Sequence, residues 1–313
     1  MGDCTERKLT YMQGALSGLS VVIPCKDEED AVGQTVEEVK RYLDPTGVDY
    51  EVIVVDDGSS DSSRQKAFDA GAMVLSHPTN LGYGNAIMNG MTVAKYPVVA
   101  IMDADGTYPP AMLPKMIELA GRHDMVIGQR IWEDTNTTRK SLLLRRLLGL
   151  IIAYFTSAKA PDFNSGFRIF HKTDILSFRP LLCPTFSFTT SLTLLFLLTH
   201  RSVHFEPIEY GSRIGSSKVA ILRDAVRTFS YVFLMANLFQ PYRLSMIFLL
   251  LGVVINSLVL LVAGLGVLGL AWQLGLHVIC SLLTLVCMIG ISIMPMTRIF
   301  LRLSAAGKEG GTY

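Results

Sequence analysis

Two aspartates one residue apart, Asp103 and Asp105, follow the apolar run of residues 98–102. A buried strand that ends on two carboxylates places them at the carboxyl edge of a sheet, where open α/β sheets bind their ligands. Their oxygens suit Mg²⁺ or Mn²⁺, whose remaining coordination positions go to water and phosphate oxygens. The alternative is that the two aspartates are solvated turn residues. The surrounding motifs are needed to choose between a metal site and a solvated turn.

Two more apolar runs end in acidic residues. Residues 19–25 are followed by Asp27 and Glu28, and residues 50–55 run into Asp56 and Asp57. Because parallel strands end at the same edge of a sheet, these carboxylates are expected near the first pair. The sequence therefore predicts one acidic, ligand-binding edge.

Strand and helix patterns alternate five times, which predicts a mostly parallel, doubly wound α/β sheet. Acidic residues after the first strand are expected to open a helix through Val32, Val36, Val39 and Tyr42, and a glycine-containing turn at residues 80–86 to open another. The sequence lacks both the dinucleotide and the P-loop glycine patterns at these turns. The predicted strands are residues 19–25, 50–55, 72–75, 98–102 and 125–128.

The composition and net charge of the chain argue against a nucleic-acid partner. Half of the 313 residues are hydrophobic, only 18% are charged, and the formal net charge is +1. A general nucleic-acid binder carries a dominant basic footprint, so no nucleic-acid partner is expected. The five cysteines are scattered without metal-binding spacing, and we interpret them as reduced structural residues.

The second half of the chain carries membrane signals. Residues 139–155 form a basic and then apolar helix, which fits either a core helix or a helix on a membrane surface; residues 220–240, with Arg223 and Arg227, favour the surface position. Residues 244–271 and 274–294 contain no Asp, Glu, Lys or Arg and are long enough to cross about 30 Å of hydrocarbon. The flanking arginines indicate that both ends of this pair lie on the cytoplasmic side of a multi-pass membrane protein. The N-terminus has acidic residues and no apolar core of signal-peptide length, so the first domain is expected on the same side.

Several motifs in this order resemble one family. VVIPCKDEE, VIVVDDGSSDSS, NLGYGNA, MDADGTYPP, NSGFR and RIGSSK are similar to the family-2 glycosyltransferases that charge polyprenyl phosphates, such as dolichol-phosphate mannose synthases and bacterial polyprenyl-phosphate glucosyltransferases. The resemblance covers the chain from about residue 19 to its end. It implies a GT-A fold with interfacial helices and a C-terminal transmembrane hairpin.

The resemblance also implies a domain organisation. An N-terminal extension (1–18) precedes a cytoplasmic catalytic domain (19–218), an interfacial amphipathic helix (219–240), two transmembrane helices (241–303) and a cytoplasmic tail (304–313). A homo-oligomer is expected, with a tetramer through the membrane helices as the family-based form.

The resemblance assigns the donor side of the site. It implies that a metal, Mg²⁺ or Mn²⁺, binds Asp103 and Asp105, and that Arg130 lies near the transferred sugar. Thr107 stands where the family has a glutamine, and Asp27 where it more often has asparagine. The implied donor-binding residues are Pro24, Glu28, Asp56, Asp57 and Asp103, and the implied catalytic residues are Asp103, Asp105, Arg130 and Arg213.

The acceptor side is assigned in the same way. Either Arg145 or Arg146 matches an acceptor-phosphate arginine, and Arg168 is either a phosphate ligand or a strand residue paired with a structural acid. The implied phosphate-binding set is Arg145, Arg146, Arg168, Arg213, Ser217 and Lys218. Residues 186–190 offer no carboxylate to act as a general base, and a phosphate acceptor, already anionic at neutral pH, needs none.

The sequence therefore predicts a membrane-anchored, inverting enzyme that moves one sugar from a nucleotide-diphosphate sugar to a polyprenyl phosphate, dolichyl or undecaprenyl. A UDP-sugar is favoured, and UDP-glucose, UDP-N-acetylglucosamine and GDP-mannose stay open. One alternative is a processive polysaccharide synthase, although Gln129, Arg130 and Trp132 lack the Q-x-x-R-W spacing of that class. A second alternative is an inactive membrane scaffold that only binds nucleotide sugar.

Overall fold

A computed structural model describes residues 17–131, 139–176, 178–211 and 221–264, with isolated positions at 275, 278–279 and 282. Within the helices, the side chains of residues 139–145 and 221–225 and of several residues after 255 lie outside the description. The chain divides into two compact units, Met1–Tyr231 and Val232–Tyr313.

The first unit contains a seven-stranded sheet in the order β3-β2-β1-β4-β6-β5-β7. Every neighbouring pair is parallel except the two pairs that β6 makes with β4 and β5. The five predicted strands are all present, and the expectation of a mostly parallel sheet is confirmed. The strands are β1 (Leu19–Cys25), β2 (Tyr50–Asp56), β3 (Met73–Ser76), β4 (Val98–Ile101), β5 (Met125–Ile131), β6 (Arg168–His171) and β7 (Val203–Glu209).

Helices cover both faces of this sheet. Ile23 of β1 shares a core cluster with Val36, whereas a Cβ on Gly90 would lie 2.5 Å from Val22 of the same strand. Since side chains alternate along a strand, the helices that carry Val36 and Gly90 lie on opposite faces. The α-helices are α1 (Val32–Leu43), α2 (Ser63–Asp69), α3 (Tyr83–Val93), α4 (Leu113–Ala120), α5 (Arg139–Thr156), α6 (Thr173–Leu176), α7 (Phe188–Leu198), α8 (Ile221–Phe239) and α9 (Pro241–Gly264).

The start of α1 differs from the expectation. No acidic residue lies in its first turn, which begins at Val32, and the acidic residues before it belong to the loop after β1. Asp27 in that loop has a φ of 48°, a left-handed conformation that does not continue into a helix. The buried residue at the far end of α1 is Leu43, and the predicted Tyr42 is 39% exposed.

Two strands were not predicted from the sequence pattern, β6 and β7. β6 is only four residues long and begins with a charged residue, Arg168, so it lacks the apolar run of a buried strand. β7 lies at the edge of the sheet and is mostly half-buried. β6 enters between β4 and β5 in the antiparallel direction, which separates the two strands that sequence order places together.

The second unit contains the end of α8 and α9. Most described side chains of α9 are apolar and exposed; examples are Leu250, Val254, Leu258 and Leu261, each exposed by 58% or more. Among the described helices none alone is long and apolar enough to span a membrane, but Val226–Phe239 and Pro241–Ile255 meet that requirement as one bent pair. The second predicted span, residues 274–294, lies almost wholly outside the described residues.

Candidate active site

A cavity of about 490 Å³ opens beyond the carboxyl ends of β1, β2 and β4. β1 pairs with β2 on one side and with β4 on the other, so the cavity lies where the strand order reverses. Its lining includes Asp103 and Asp105, as well as Pro24, Glu28 and Asp57. The structure thus brings together the predicted metal ligands and three of the four other predicted donor-binding residues.

Each aspartate of the 103–105 pair has a hydroxyl partner of its own. The Tyr83 hydroxyl donates to Asp103 Oδ1 over 2.7 Å, and the Thr107 hydroxyl donates to Asp105 Oδ1 over 2.6 Å. Burial, and then the charge of Asp103, keep the pKa of Tyr83 well above its usual range, so the hydroxyl stays protonated. The chain turns away after the pair at Gly106, where φ is 73°.

The donor set fits a divalent cation that shares its coordination shell with a substrate. Among the described residues no group of three or more His, Cys, Asp or Glu side chains could hold a metal ion, so this part of the chain would supply the two aspartates alone. The cavity carries four carboxylates, of Glu28, Asp57, Asp103 and Asp105, against the cations Lys26 and Arg227. This excess of negative charge opposes a diphosphate unless a cation such as Mg²⁺ or Mn²⁺ lies between them.

The loop after β1 is held to the loop after β2. The backbone N–H of Asp27 donates to Ser59 Oγ (2.9 Å), and Asp27 Oδ1 accepts the backbone N–H of Ser60 (2.7 Å). The backbone N–H of Glu28 donates to Ser63 Oγ over 2.8 Å. These bonds fix the backbone that places Pro24 and Glu28 on the cavity wall.

The two aspartates after β2 have different positions. Asp57 lines the cavity, and its carboxylate accepts the backbone N–H groups of Leu81 and Gly82 and contacts His77 Nδ1, each at 2.8 Å. Asp56 is 5% exposed, accepts the backbone N–H of Ser59, and is outside the cavity lining. Asp57 therefore ties the loop before α3 to the sheet edge, and the predicted contact of Asp56 with the donor stays a prediction.

Arg130, predicted to lie near the sugar, is held in a buried ion pair. Its Nε and Nη2 atoms donate to the two carboxylate oxygens of Asp162, each over 2.8 Å, and its guanidinium lies 5.3 Å from the ring centre of Tyr210. Burial lowers the pKa of Arg130, but the hydrogen bonds to Asp162, together with the electrostatic influence of Tyr108, Asp162 and Tyr210, outweigh burial and raise it. Arg130 is outside the cavity lining, so its catalytic role stays a prediction.

Arg168 lies inside the fold. The side chain has no accessible surface, and its guanidinium donates to the carbonyls of Phe163 and Ser165 and to Thr193 Oγ1. Burial lowers the pKa of Arg168 to about 10. A phosphate in the cavity does not reach a group enclosed in this way, so the expectation of an acceptor-phosphate ligand is corrected, and Arg168 is a strand residue with a structural role. The groups that accept these three hydrogen bonds are two carbonyls and a hydroxyl, whereas the alternative expected an acid.

The remaining acceptor residues are mostly outside the described residues. This applies to Arg213, Ser217 and Lys218, and to the side chain of Arg145. Arg146 is described and exposed on α5. Their roles stay predictions.

Sequence reasoning missed several residues of the cavity. Lys26 and Tyr83 both line the cavity and lie within the motifs PCKDEE and NLGYGNA. These motifs indicated the family resemblance but not that the two side chains face the cavity. Phe186 packs against Tyr83 with 5.8 Å between the ring centres. Arg227 was noted only as part of an interfacial helix; it lines the cavity and donates to Thr185 Oγ1 over 2.6 Å.

Comparison with known proteins identifies the class to which this fold and site belong. The model of the family described as "Glycosyl transferase family 2" matches residues 20–177, and the chain belongs to this family.

Individual relatives carry more specific names. The chain is 31% identical over 163 residues to an undecaprenyl-phosphate 4-deoxy-4-formamido-L-arabinose transferase of Edwardsiella ictaluri, covering 50% of each protein. It is 26% identical over 227 residues to the protein of the same name from Pectobacterium carotovorum, covering 66% of this chain and 64% of that protein. The matched regions thus span from half to less than two thirds of these relatives.

A solved structure supports the fold. Glucosyl-3-phosphoglycerate synthase from Mycobacterium tuberculosis, in complex with Mn²⁺, uridine diphosphate and glucosyl-3-phosphoglycerate, superimposes with a TM-score of 0.57. The two chains are 18% identical, and the match covers 73% of this chain and 82% of that one. The likeness shows the α/β GT-A fold with its mostly parallel seven-stranded sheet.

Proposed function

We propose that this glycosyltransferase moves one sugar from a nucleotide-diphosphate sugar, with a UDP-sugar favoured over GDP-mannose, to a polyprenyl phosphate. The observation that carries the proposal is the placement of Asp103 and Asp105 at the wall of the cavity beyond the strand ends, with Tyr83 and Thr107 as their partners. The names of the two undecaprenyl-phosphate transferases support the lipid acceptor.

The acidic side of the cavity would bind the donor through a metal. Asp103 and Asp105 would hold Mg²⁺ or Mn²⁺, which neutralises the negative charge of the departing nucleotide diphosphate. The solved complex of a GT-A protein with Mn²⁺ and uridine diphosphate supports this cofactor class. Pro24, Glu28 and Asp57 line the same cavity and would contact the nucleotide.

The acceptor needs cations rather than a base. A phosphate monoester has a second pKa of about 6 and is already an anionic nucleophile at neutral pH. At the start of α7, Ser187 bonds Thr228 and Thr190 bonds Asn164, so these hydroxyls serve packing. Arg227 lines the cavity beside this segment and would help to hold the acceptor phosphate, together with the predicted Arg213 and Lys218.

Exposed apolar side chains on two helices support a lipid substrate. On α5 the apolar side chains of Leu147, Leu150 and Tyr154 are exposed by 53%, 69% and 41%, and all three lie on one helix face. Val226 and Phe229 on α8 are exposed by 62% and 55%. We propose that these faces rest on the membrane surface, with the catalytic unit on the cytoplasmic side, in a membrane-anchored homo-oligomer.

A transfer assay tests the proposal. Detergent-purified protein is incubated with a short polyprenyl phosphate, Mn²⁺ and a panel of labelled UDP- and GDP-sugars, and label is followed into the organic phase. We expect one donor to give a lipid product with a single added sugar, and EDTA to abolish it. Nucleotide-sugar binding without any lipid product would contradict the acceptor assignment, and longer polymer would favour a processive synthase.

A further inference from the structure

The phenol of Tyr83 reaches across the cavity wall to the first aspartate of the predicted metal site. Tyr83 is the first residue of α3, and its hydroxyl donates to Asp103 Oδ1 over 2.7 Å. Its ring packs against Phe186, with 5.8 Å between the ring centres. Phe186 thus fixes the position of the Tyr83 ring, and the hydroxyl at the end of that ring binds the Asp103 carboxylate.

Gly166 closes the other side of this carboxylate. A Cβ on Gly166 would lie 2.8 Å from both carboxylate oxygens of Asp103 and 2.9 Å from the Tyr83 hydroxyl. The backbone N–H of Gly166 donates to the Tyr108 hydroxyl over 2.6 Å, which fixes the backbone at this point. The Asp103 carboxylate therefore lies between a phenol hydroxyl and a glycine backbone that leaves no room for a side chain.

We propose that Tyr83 is a positioning residue that orients the Asp103 carboxylate toward the divalent cation, an inference that rests on the proposed metal-dependent function. A carboxylate whose oxygen is held by a donor keeps one orientation, and loss of such an outer partner lowers metal affinity about 10–100-fold. Thr107 makes the equivalent contact with the second aspartate, because its hydroxyl donates to the Asp105 carboxylate. Both ligands would then be aligned before the metal and donor arrive.

The test measures the metal alone. Mn²⁺ binding is titrated by electron paramagnetic resonance for the native protein, Tyr83→Phe and Tyr50→Phe. Tyr50 is the matched control, because its hydroxyl also bonds an aspartate, Asp44, but at the opposite end of β2 from the cavity. We expect the Kd for Mn²⁺ to rise about 10–100-fold in Tyr83→Phe and to stay at the native value in Tyr50→Phe.

Three further readouts separate orientation from a general loss of structure. Tyr83→Phe and Tyr50→Phe should each melt in EDTA as one cooperative transition, which shows that the fold is intact. In the transfer assay Tyr83→Phe should need more Mn²⁺ for half-maximal rate, while its kcat at saturating Mn²⁺ stays near native. Gly166→Ala, which pushes a methyl group toward Asp103, should weaken Mn²⁺ binding in the same direction.

Two results would overturn the inference, and only one of them would also reject the proposed metal. If the native protein binds Mn²⁺ and the Kd of Tyr83→Phe for Mn²⁺ lies within twofold of the native value, the role of Tyr83 is rejected and the proposed function stays intact. Native protein that binds no Mn²⁺, alone or with UDP, would reject both the inference and the proposed metal.

Discussion

The ion pair between Arg130 and Asp162 is expected to be a main support of the first unit, and Asp162→Asn tests this. The two side chains are 10% and 7% exposed and share two hydrogen bonds of 2.8 Å. Asp162 Oδ2 also accepts the backbone N–H of Arg130 over 3.1 Å. The asparagine keeps the shape of the side chain but removes its charge and turns an amide NH₂ toward a guanidinium that cannot accept a hydrogen bond.

The expected magnitude follows from burial. Removing one partner of a buried ion pair costs about 3–5 kcal/mol, because the other charge stays buried after it loses its counter-ion. In a unit of this size each kcal/mol lowers the melting temperature by about 2–4 °C. We therefore expect Asp162→Asn to lower the melting temperature by about 6–20 °C.

Differential scanning fluorimetry of the detergent-purified protein measures this shift. Glu118→Gln is the matched control, since Glu118 pairs with Lys115 and Arg122 on an exposed helix face, where side-chain exposures run from 48% to 70%. Helix pairs at these spacings contribute about 0.2–0.5 kcal/mol each, so losing both costs at most about 1 kcal/mol, and the control should melt within about 4 °C of native. An Asp162→Asn variant that melts as close to native as the control would refute the reasoning.

Two other predictions follow from the surroundings of single residues. Burial, and then the charge of Asp56, raise the pKa of the Cys25 thiol from 9.0 to about 12. At pH 8 the alkylation of Cys25 by iodoacetamide, followed by peptide mass spectrometry, should therefore be about a thousandfold slower than that of a free thiol, and its rate should rise about tenfold per pH unit. An alkylation rate near that of glutathione would contradict this prediction. Gly84→Ala should lower the melting temperature, because a Cβ there would lie 2.2 Å from the Cys183 carbonyl oxygen. Gly33→Ala, where the nearest atom is at 3.7 Å, should be neutral or stabilising by up to about 1 kcal/mol, and equal melting of the two variants would contradict the clash.

The sheet edge could be predicted because its signals are local. The segments that become β1, β2 and β4 are mostly apolar, and acidic residues follow each of them within two positions, so both strand and edge follow from neighbours in the sequence. The glycine-containing turn before α3 was predicted for the same reason. β6 could not be predicted in this way, because its position depends on pairing between β4 and β5 and its first residue is charged.

The partners of the functional residues could not be predicted, since they lie far apart in the sequence. Arg130 and Asp162 are 32 residues apart, and Tyr83 and Asp103 are 20 apart. Nothing in the spacing of either pair indicates contact, and only the folded chain brings them together. The same holds for Arg168, where the sequence left a phosphate ligand and a strand residue equally open and tertiary burial favours the strand residue.

The most direct test of the account compares native protein, Asp105→Asn and Asp69→Asn in the transfer of labelled sugar to polyprenyl phosphate with Mn²⁺. The amide oxygen introduced by Asp105→Asn would still accept the Thr107 hydroxyl, so the variant changes the charge at the metal site and little else. Asp69 is an exposed residue of α2 bonded to Gln65 and serves as the control. The account predicts that Asp105→Asn loses at least about a hundredfold in rate while melting like native, and that Asp69→Asn keeps the native rate. Transfer by Asp105→Asn at the native rate would contradict the claim that this aspartate binds a catalytic metal.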